Sequence, residues 1–460
     1  MSVNSPLGAT QGGTLELRRR AAAVSHSRSR VGKLALGALL VTVAIVATSA
    51  AETNLLLPES VRPVPGWLAG VFGTGGVHLG TVALISVLAA MFGAYAVAVK
   101  CAGRLSARAV IAAIAAMHAL VLLAPPLLST DVFSYESYAR MFALYGANPY
   151  THGPQAFALD PVYPFIGAKW ISTPTAYGPV FTALSAALAP LSIAAAVLGY
   201  KGLATLSSIA IVAVVWDVAR RRGINPVKAA AVVGLNPLIV VYGVGGGHND
   251  LLMLAAMMGG LWLLLTHRER AGGAAMAIGA GVKLTGSVLA PFALAELLQD
   301  RLSPRRRREF LIGAAAGTVA VAALAFALFG FGSLRMLATL RTSQSEGDWH
   351  SIPGFITSRL GLGVGHVTGY VLAVAFVAVF LWLLRRVWRR EMDWIDGAAW
   401  TAVALLVSAS SLLPWYVAWL MPLAALGRDR RLMRVAIIMT GVVTLIQLIG
   451  YIPNGGALKL

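Results

Sequence analysis

STDVFSYESYARMFALYGANPYTHGP at residues 129–154, continued to WISTPTAYGP at 170–179, is the longest aromatic and polar insertion in a chain otherwise made of apolar runs and short basic loops. That contrast decides the fold class. An apolar run of about 20 residues crosses the hydrocarbon core as a helix, and such runs recur on both sides of the insertion, so an all-α polytopic bundle is expected and a barrel is not. The composition agrees: 58% hydrophobic and 12% charged residues, with a mean hydropathy of +0.76, do not describe a soluble globule.

In a soluble protein the net charge of +19 would suggest nucleic acid. Here Lys and Arg lie in short loops between apolar runs, so charge reports topology, the lipid bilayer is the expected partner, and no nucleic acid is expected. Cys101 is the single cysteine, which excludes an intrachain disulfide and a zinc site built from Cys clusters. Residues 1–31, rich in Ser, Gly and Arg, read as a disordered cytoplasmic tail, and 32–460 as one lipid-embedded domain. The end of the first span, ATSAAE at 47–52, resembles a signal-peptidase site, but its apolar run is longer than a secretory core of about 7–15 residues, so an uncleaved anchor is expected.

The positive-inside rule then orders the spans. Spans near 77–99 and 108–127 enclose Lys100, Arg104 and Arg108, which puts that turn in the cytoplasm and Asp131 just outside. If both apolar runs between Pro179 and Arg222 crossed, Arg220, Arg221 and Arg222 would lie outside. The stretch bounded by Pro179 and Pro190 is therefore expected to lie at the outer interface, with the span at 196–219. Spans at 227–245 and 250–266 follow. Basic clusters flank both 271–298 and 395–426, so each should form a short hairpin, with tips at GVKLTG (281–286) and SSLLPWY (410–416). Spans at 309–330, 366–386 and 432–451, with 332–365 outside, bring the sum to about thirteen crossings, N-terminus in and C-terminus out. On this topology Asp131, His248, Asn249, Asp250, Lys283, Asp348, His350 and Tyr416 gather near the outer face.

Asp131 is the sharpest candidate. A carboxylate at the mouth of a span can accept a proton from a hydroxyl; with Thr130 it also stands where a helix cap belongs, ahead of VFSYESYARMFALYG and the terminal Gly146. Asp131, Tyr135 and Tyr138 share one helix face, near Arg140 and Tyr145, and a face of hydroxyls and rings suits a sugar. GHND at 247–250 reads equally as helix caps or as site residues. It is no HExxH motif, and no carboxylate cluster approaches a metal-ligand spacing, so neither metal nor cofactor is expected. Lys283, in a Gly-rich apolar segment, either snorkels or meets an anion, for which a lipid phosphate is the natural choice. Trp415 and Tyr416 fit an interfacial aromatic belt or ligand contacts.

TDVFSYESYARMFALYGANPY, YGPVF, GHND, AGVKLTG and LPWYVAWLMP, in this order and on this side, resemble the GT-C glycosyltransferases, in particular the polyprenol-phosphomannose-dependent α-1,6-mannosyltransferases of actinobacterial lipomannan and lipoarabinomannan synthesis. The resemblance spans residues 34–451. It implies a GT-C-like bundle with 129–178 as an extracytoplasmic active-site loop. It further implies inverting transfer of mannose from a polyprenyl-phosphate-mannose donor to a phosphatidylinositol mannoside or mannan acceptor. Asp131 would be the general base and Lys283 the donor-phosphate contact, helped by Arg341 or Arg359. Tyr135, Tyr138, Arg140, Tyr177, His248, Asn249, Asp250, Asp348, His350, Trp415 and Tyr416 would bind substrate. This chain has a lone Asp131 where other GT-C members carry paired acids. An arabinosyl donor, a lipid or glycolipid transporter and a non-catalytic assembly partner are the competing readings; a transporter would favour polar groups at the midplane and related halves.

Overall fold

The computed structural model describes residues 9–50, 55–299, 304–345, 351–354 and 366–450. Among these residues every regular element is helical. Six helices are long and apolar enough to cross a membrane: Ser29–Ser49, Thr81–Arg104, Ile193–Arg221, Pro304–Thr342, Gly369–Trp388 and Arg430–Ile449. A seventh span is formed if Pro226–Gly234 and Leu238–Val244, bent by 45° across Pro237, are taken together. Where the other crossings are expected the chain has shorter helices, Ala107–Leu123, Asp250–Leu265, Glu269–Val282, Leu284–Gln299, Trp394–Ser408 and Pro414–Leu426, so by length and composition the described residues give six or seven spans and not the expected thirteen. The chain is thus a polytopic all-α membrane protein.

Helix α1 (Ala9–Ser49) begins well before its apolar half, so backbone that reads as an unstructured tail is helical from Ala9. It packs on α2 (Thr81–Cys101) and α3 (Ala107–Leu123). α3 stops at Leu123, where its last carbonyls lack helical partners. Lys201, wholly buried on α6 (Ile193–Arg221), donates to the carbonyls of Ala124 and Pro125, the latter at 3.0 Å, and so closes that end. The chain then turns into α4 (Asp131–Ala143), which ends as its sequence predicts, at Gly146 with φ +64°.

The expected interfacial segment is a seven-residue helix, α5 (Pro179–Ser185), followed by turns to Pro190. Gly178, just before it, donates its N–H to the Val282 carbonyl at 3.1 Å; a Cβ there would meet the Gly281 carbonyl oxygen at 2.1 Å, so only glycine lets the loop dock on the hairpin tip. Helix α7 (Pro226–Gly234) leads through the π-helical turn 238–244 to α8 (Asp250–Leu265). The first hairpin is α9 (Glu269–Val282) and α10 (Leu289–Gln299), broken at Lys283. α11 (Pro304–Phe329) and α12 (Met336–Ser345) follow, so the region expected as loop from 332 carries a further helix. Then come α13 (His366–Trp388), α14 (Trp394–Ser408), α15 (Met421–Leu426) and α16 (Arg430–Gly450).

The bundle has two chemically different ends. α8 runs its 16 residues, about 24 Å at 1.5 Å per residue, from Asp250 in a polar cluster to Leu265 beside a 1040 Å³ cavity. Ion pairs close that far end: Arg222 Nη2 to Asp393 Oδ1 at 2.9 Å and Arg306 Nε to Glu269 Oε1 at 2.5 Å, with Asp396 accepting the N–H groups of Arg428 and Asp429.

Candidate active site

Asp131 opens α4 but does not cap it. Neither its carboxylate nor Thr130 makes a side-chain cap bond. The Asp131 N–H instead donates to Ser129 Oγ at 3.1 Å, and Oδ2 faces His248 Nδ1 at 3.3 Å and the Tyr135 hydroxyl at 3.5 Å. Both contacts are long, so the carboxylate keeps acceptor capacity. Burial pushes the Asp131 pKa up, but His248, Lys283 and Ser129 together outweigh it and hold the group below the ordinary carboxylate value. The carboxylate lines a 390 Å³ cavity with Ser129, Thr130, Trp170, Trp415 and Arg62 among its walls.

The other tip residues complete a tight cluster. His248 is buried and stacks on Trp415, ring centroids 3.5 Å apart at 17°. Asn249 occupies the position before α8, yet its side chain makes no cap bond; its amide nitrogen and oxygen, like His248 Nε2, are buried without a hydrogen-bond partner. The capping reading of GHND therefore does not account for these side chains. Such orphaned groups are costly unless something pairs with them.

Lys283 meets its anion within the chain. Its Nζ lies 2.8 and 2.9 Å from the two Asp250 oxygens, and Trp419 Nε1 donates to Oδ1 at 2.7 Å. The ammonium also lies 4.9 Å from the Tyr416 ring centroid and 5.5 Å from that of Trp419. Trp415, Tyr416 and Trp419 are thus packed into the cluster, not spread along a lipid-facing belt.

Several expected site residues serve the loop instead. Arg140 is clamped to Asp160, Nε at 3.0 and 2.9 Å from its oxygens, with Tyr145 donating to the same carboxylate at 2.7 Å. It also binds the Ala189 carbonyl, so its guanidinium is engaged away from Asp131. Tyr138 donates to the Thr173 carbonyl at 2.7 Å. Tyr177 packs edge-on against Tyr135 at 4.7 Å and accepts at its carbonyl from Tyr150. Arg341 bonds the Tyr370 hydroxyl at 2.9 Å. Asp348, His350 and Arg359 lie outside the described residues. Sequence reasoning missed Arg62, Trp170 and Trp419; the last stands in the quoted LPWYVAWLMP, three residues beyond Tyr416, which is a helical neighbour spacing. Among the described residues no three His, Cys, Asp or Glu side chains converge as a metal-ligand set.

A membrane-embedded helical bundle with a carboxylate-bearing, aromatic-walled cavity at one end is the class these features define. Residues 31–299 match the family described as "Alpha-(1->6)-mannopyranosyltransferase, N-terminal domain", and residues 354–460 match the "MptB C-terminal domain". The chain belongs to this alpha-(1->6)-mannopyranosyltransferase family. Among its relatives, alpha-(1->6)-mannopyranosyltransferase A of Mycobacterium tuberculosis is 30% identical over 342 residues, covering 68% of this chain and 65% of the relative. Alpha-(1->6)-mannopyranosyltransferase Rv1459c of the same organism is 27% identical over 412 residues, 74% of this chain and 68% of its own length. A relative in Mycolicibacterium smegmatis, with a name of the same type, is 28% identical, 66% of this chain and 63% of its own. The match therefore spans slightly less than two thirds of the length of the first and third of these relatives.

Proposed function

We propose that this protein is a glycosyltransferase that moves mannose from a polyprenyl-phosphate-mannose donor onto a lipid-linked mannan, in α-1,6 linkage and with inversion, on the extracytoplasmic face of the membrane. The acceptor O6 attacks C1 of a β-linked mannosyl phosphate. The O6–C1 bond forms, the C1–O bond to phosphate breaks with its electron pair left on the phosphate oxygen, and the O6 proton passes to Asp131. The names of the relatives support the sugar and linkage. The basic turns at the far end of the bundle support the outward placement of Asp131.

One observation carries the choice of base. Asp131 and Asp250 both stand at helix starts in the same cluster, yet their partners differ. Asp250 is 2% exposed in its side chain and takes two short bonds from Lys283 and one from Trp419, so its lone pairs are engaged. Asp131 is 16% exposed, has only long contacts and borders the cavity. A general base must be ionised, within reach of its proton and free to accept it; the depressed pKa, the place on the cavity wall and the long contacts support Asp131 in that role. Its depressed pKa supports the ionised state at neutral pH. Trp170 and Trp415, which line the cavity with Asp131, are the rings available to a sugar's CH faces.

The test is transfer of labelled mannose from decaprenyl-phosphate-mannose to a mannoside acceptor by the purified protein in nanodiscs. Product with a new α-1,6 linkage is expected, and its loss in Asp131→Asn. Transfer of arabinose but not mannose would replace the sugar; flipping of the lipid without transfer would replace the reaction.

A further inference from the structure

The cations near this end of the bundle are mostly committed to other partners. Lys283 is held by Asp250, Arg140 by Asp160, and Lys201 by two backbone carbonyls. Among the residues lining the Asp131 cavity one cation occurs, Arg62. It lies on the connection between α1 and α2, anchored nearby by the Ser60 hydroxyl, which donates to the Phe165 carbonyl of the polar loop at 2.7 Å. Arg62 Nε donates to the Leu57 carbonyl at 2.9 Å. That bond fixes the plane of the guanidinium and leaves the outer Nη groups unengaged. Among the described residues Arg62 has no carboxylate partner; Glu59, which also lines the cavity, is exposed and forms no ion pair with it.

We propose that Arg62 binds the phosphate of an isoprenoid phospholipid in the cavity that Asp131 borders. A half-buried, pre-oriented guanidinium with free outer N–H groups matches two oxygens of a phosphate, in a fork geometry that an ammonium lacks. The identity of the lipid rests on the transfer reading given above. In the donor, phosphate is bonded directly to the reacting C1; in a mannan acceptor, the attacking O6 is separated from any lipid phosphate by the intervening sugars. A cation that shares a cavity with the base is thus placed for the donor phosphate. When the C1–O bond breaks, the phosphate goes from a singly charged diester to a monoester with more negative charge, and Arg62 stabilises that gain without moving.

The experiment measures binding of decaprenyl phosphate, phosphatidylinositol and inorganic phosphate to the full chain in nanodiscs, by intrinsic tryptophan fluorescence, for wild type, Arg62→Gln and Arg62→Lys. Loss of a charged phosphate contact should weaken decaprenyl phosphate binding roughly ten- to a hundredfold in Arg62→Gln, with Arg62→Lys in between. KM for the mannosyl donor should rise in Arg62→Gln while KM for the acceptor stays put. Equal affinity of wild type and Arg62→Gln overturns the proposal, as does a wild type that does not bind decaprenyl phosphate. An Arg62-dependent loss seen only with phosphatidylinositol reassigns the phosphate to the acceptor, and one seen equally with inorganic phosphate makes the site one for a free anion; either result also overturns it. If Arg62→Gln melts below the assay temperature, Arg62→Lys decides, and wild-type affinity there is the overturning result. Wild type that binds decaprenyl phosphate through Arg62 yet transfers no mannose would refute the mannosyl reading and leave this one standing.

Discussion

Replacing Lys283 by Met is expected to destabilise the protein before it does anything to substrate. The Asp250 side chain is 2% exposed, and Lys283 supplies two of its three short bonds. Met keeps the apolar stem but leaves the carboxylate with the Trp419 N–H alone. Breaking a buried pair from one side costs about 3–5 kcal/mol, because the remaining charge is uncompensated. The lost contacts to Tyr416 and Trp419 add about 0.5–2 kcal/mol. Asp250→Asn alone should cost less, since the Lys283 side chain is 18% exposed and its ammonium has a route to water. Asn still accepts from Trp419, so the double variant should be more stable than Lys283→Met by about 2 kcal/mol or more, removal of both charges of a pair being often close to neutral. The assay is reversible SDS unfolding in mixed micelles, run as a double-mutant cycle. If Lys283→Met unfolds with the wild type and Asp250→Asn changes nothing further, the pair is not formed in solution, and Lys283 returns as a free cation for the donor phosphate.

Asp131→Asn should keep the protein folded at the assay temperature, with some loss of melting temperature at neutral pH, and reduce transfer about 100-fold or more, checked by single-turnover kinetics. Since the folded-state pKa of Asp131 is depressed, its contribution to stability is present above the unfolded value of 3.8 and lost as pH falls through the folded value; transfer should hold down to that range, and His248→Gln should move the acid limb of the rate profile upward. Glu136 shows the opposite case: burial raises its pKa to about 8, against the nearby Arg140, so its stabilisation is full below 4.5 and lost as pH rises to about 8. Glu136→Gln should therefore raise the melting temperature at pH 8 and change it little at pH 4.5. For topology, Gln155→Cys should react with an impermeant maleimide in intact cells and Arg307→Cys should not, in a background lacking the buried Cys101.

Much of the fold was legible because the bilayer constrains it so strongly. Apolar length and basic loops located the breaks at Lys283 and at Pro414, the shortness of the Pro179 helix and the polar tip before Asp250, and all four recur in the structure. Less legible were features set by tertiary contact. The run AAVVGLNPLIVVYGVGGG carries a break signal at Asn236-Pro237, but nothing in it announces the π-helical turn that follows, since its apolar pattern suits an ordinary span as well. The helix after Phe329 escapes a hydropathy reading because its sequence, LRMLATLRTSQS, is too polar to register as a span.

The site divides along the same line. A lone charge in an apolar stretch tells a reader that a partner must exist, and Lys283 does have an anion; which anion depends on how α8 and α9 pack, and no local pattern encodes that. Arg140 looked like a ligand because its helix face also carries Asp131, but Asp160, twenty residues on, captures it. The converse error hid Arg62. It sits in PESVRPVP, a short Pro-rich connection without helical or strand period, where a single Arg beside the membrane reads as ordinary loop charge. Only the fold shows that this connection forms a wall of the Asp131 cavity. In such a bundle a cation's usefulness for binding follows from which carboxylates the packing has already brought to its neighbours, so the conspicuous cations are neutralised and an inconspicuous one is left on the wall of the Asp131 cavity.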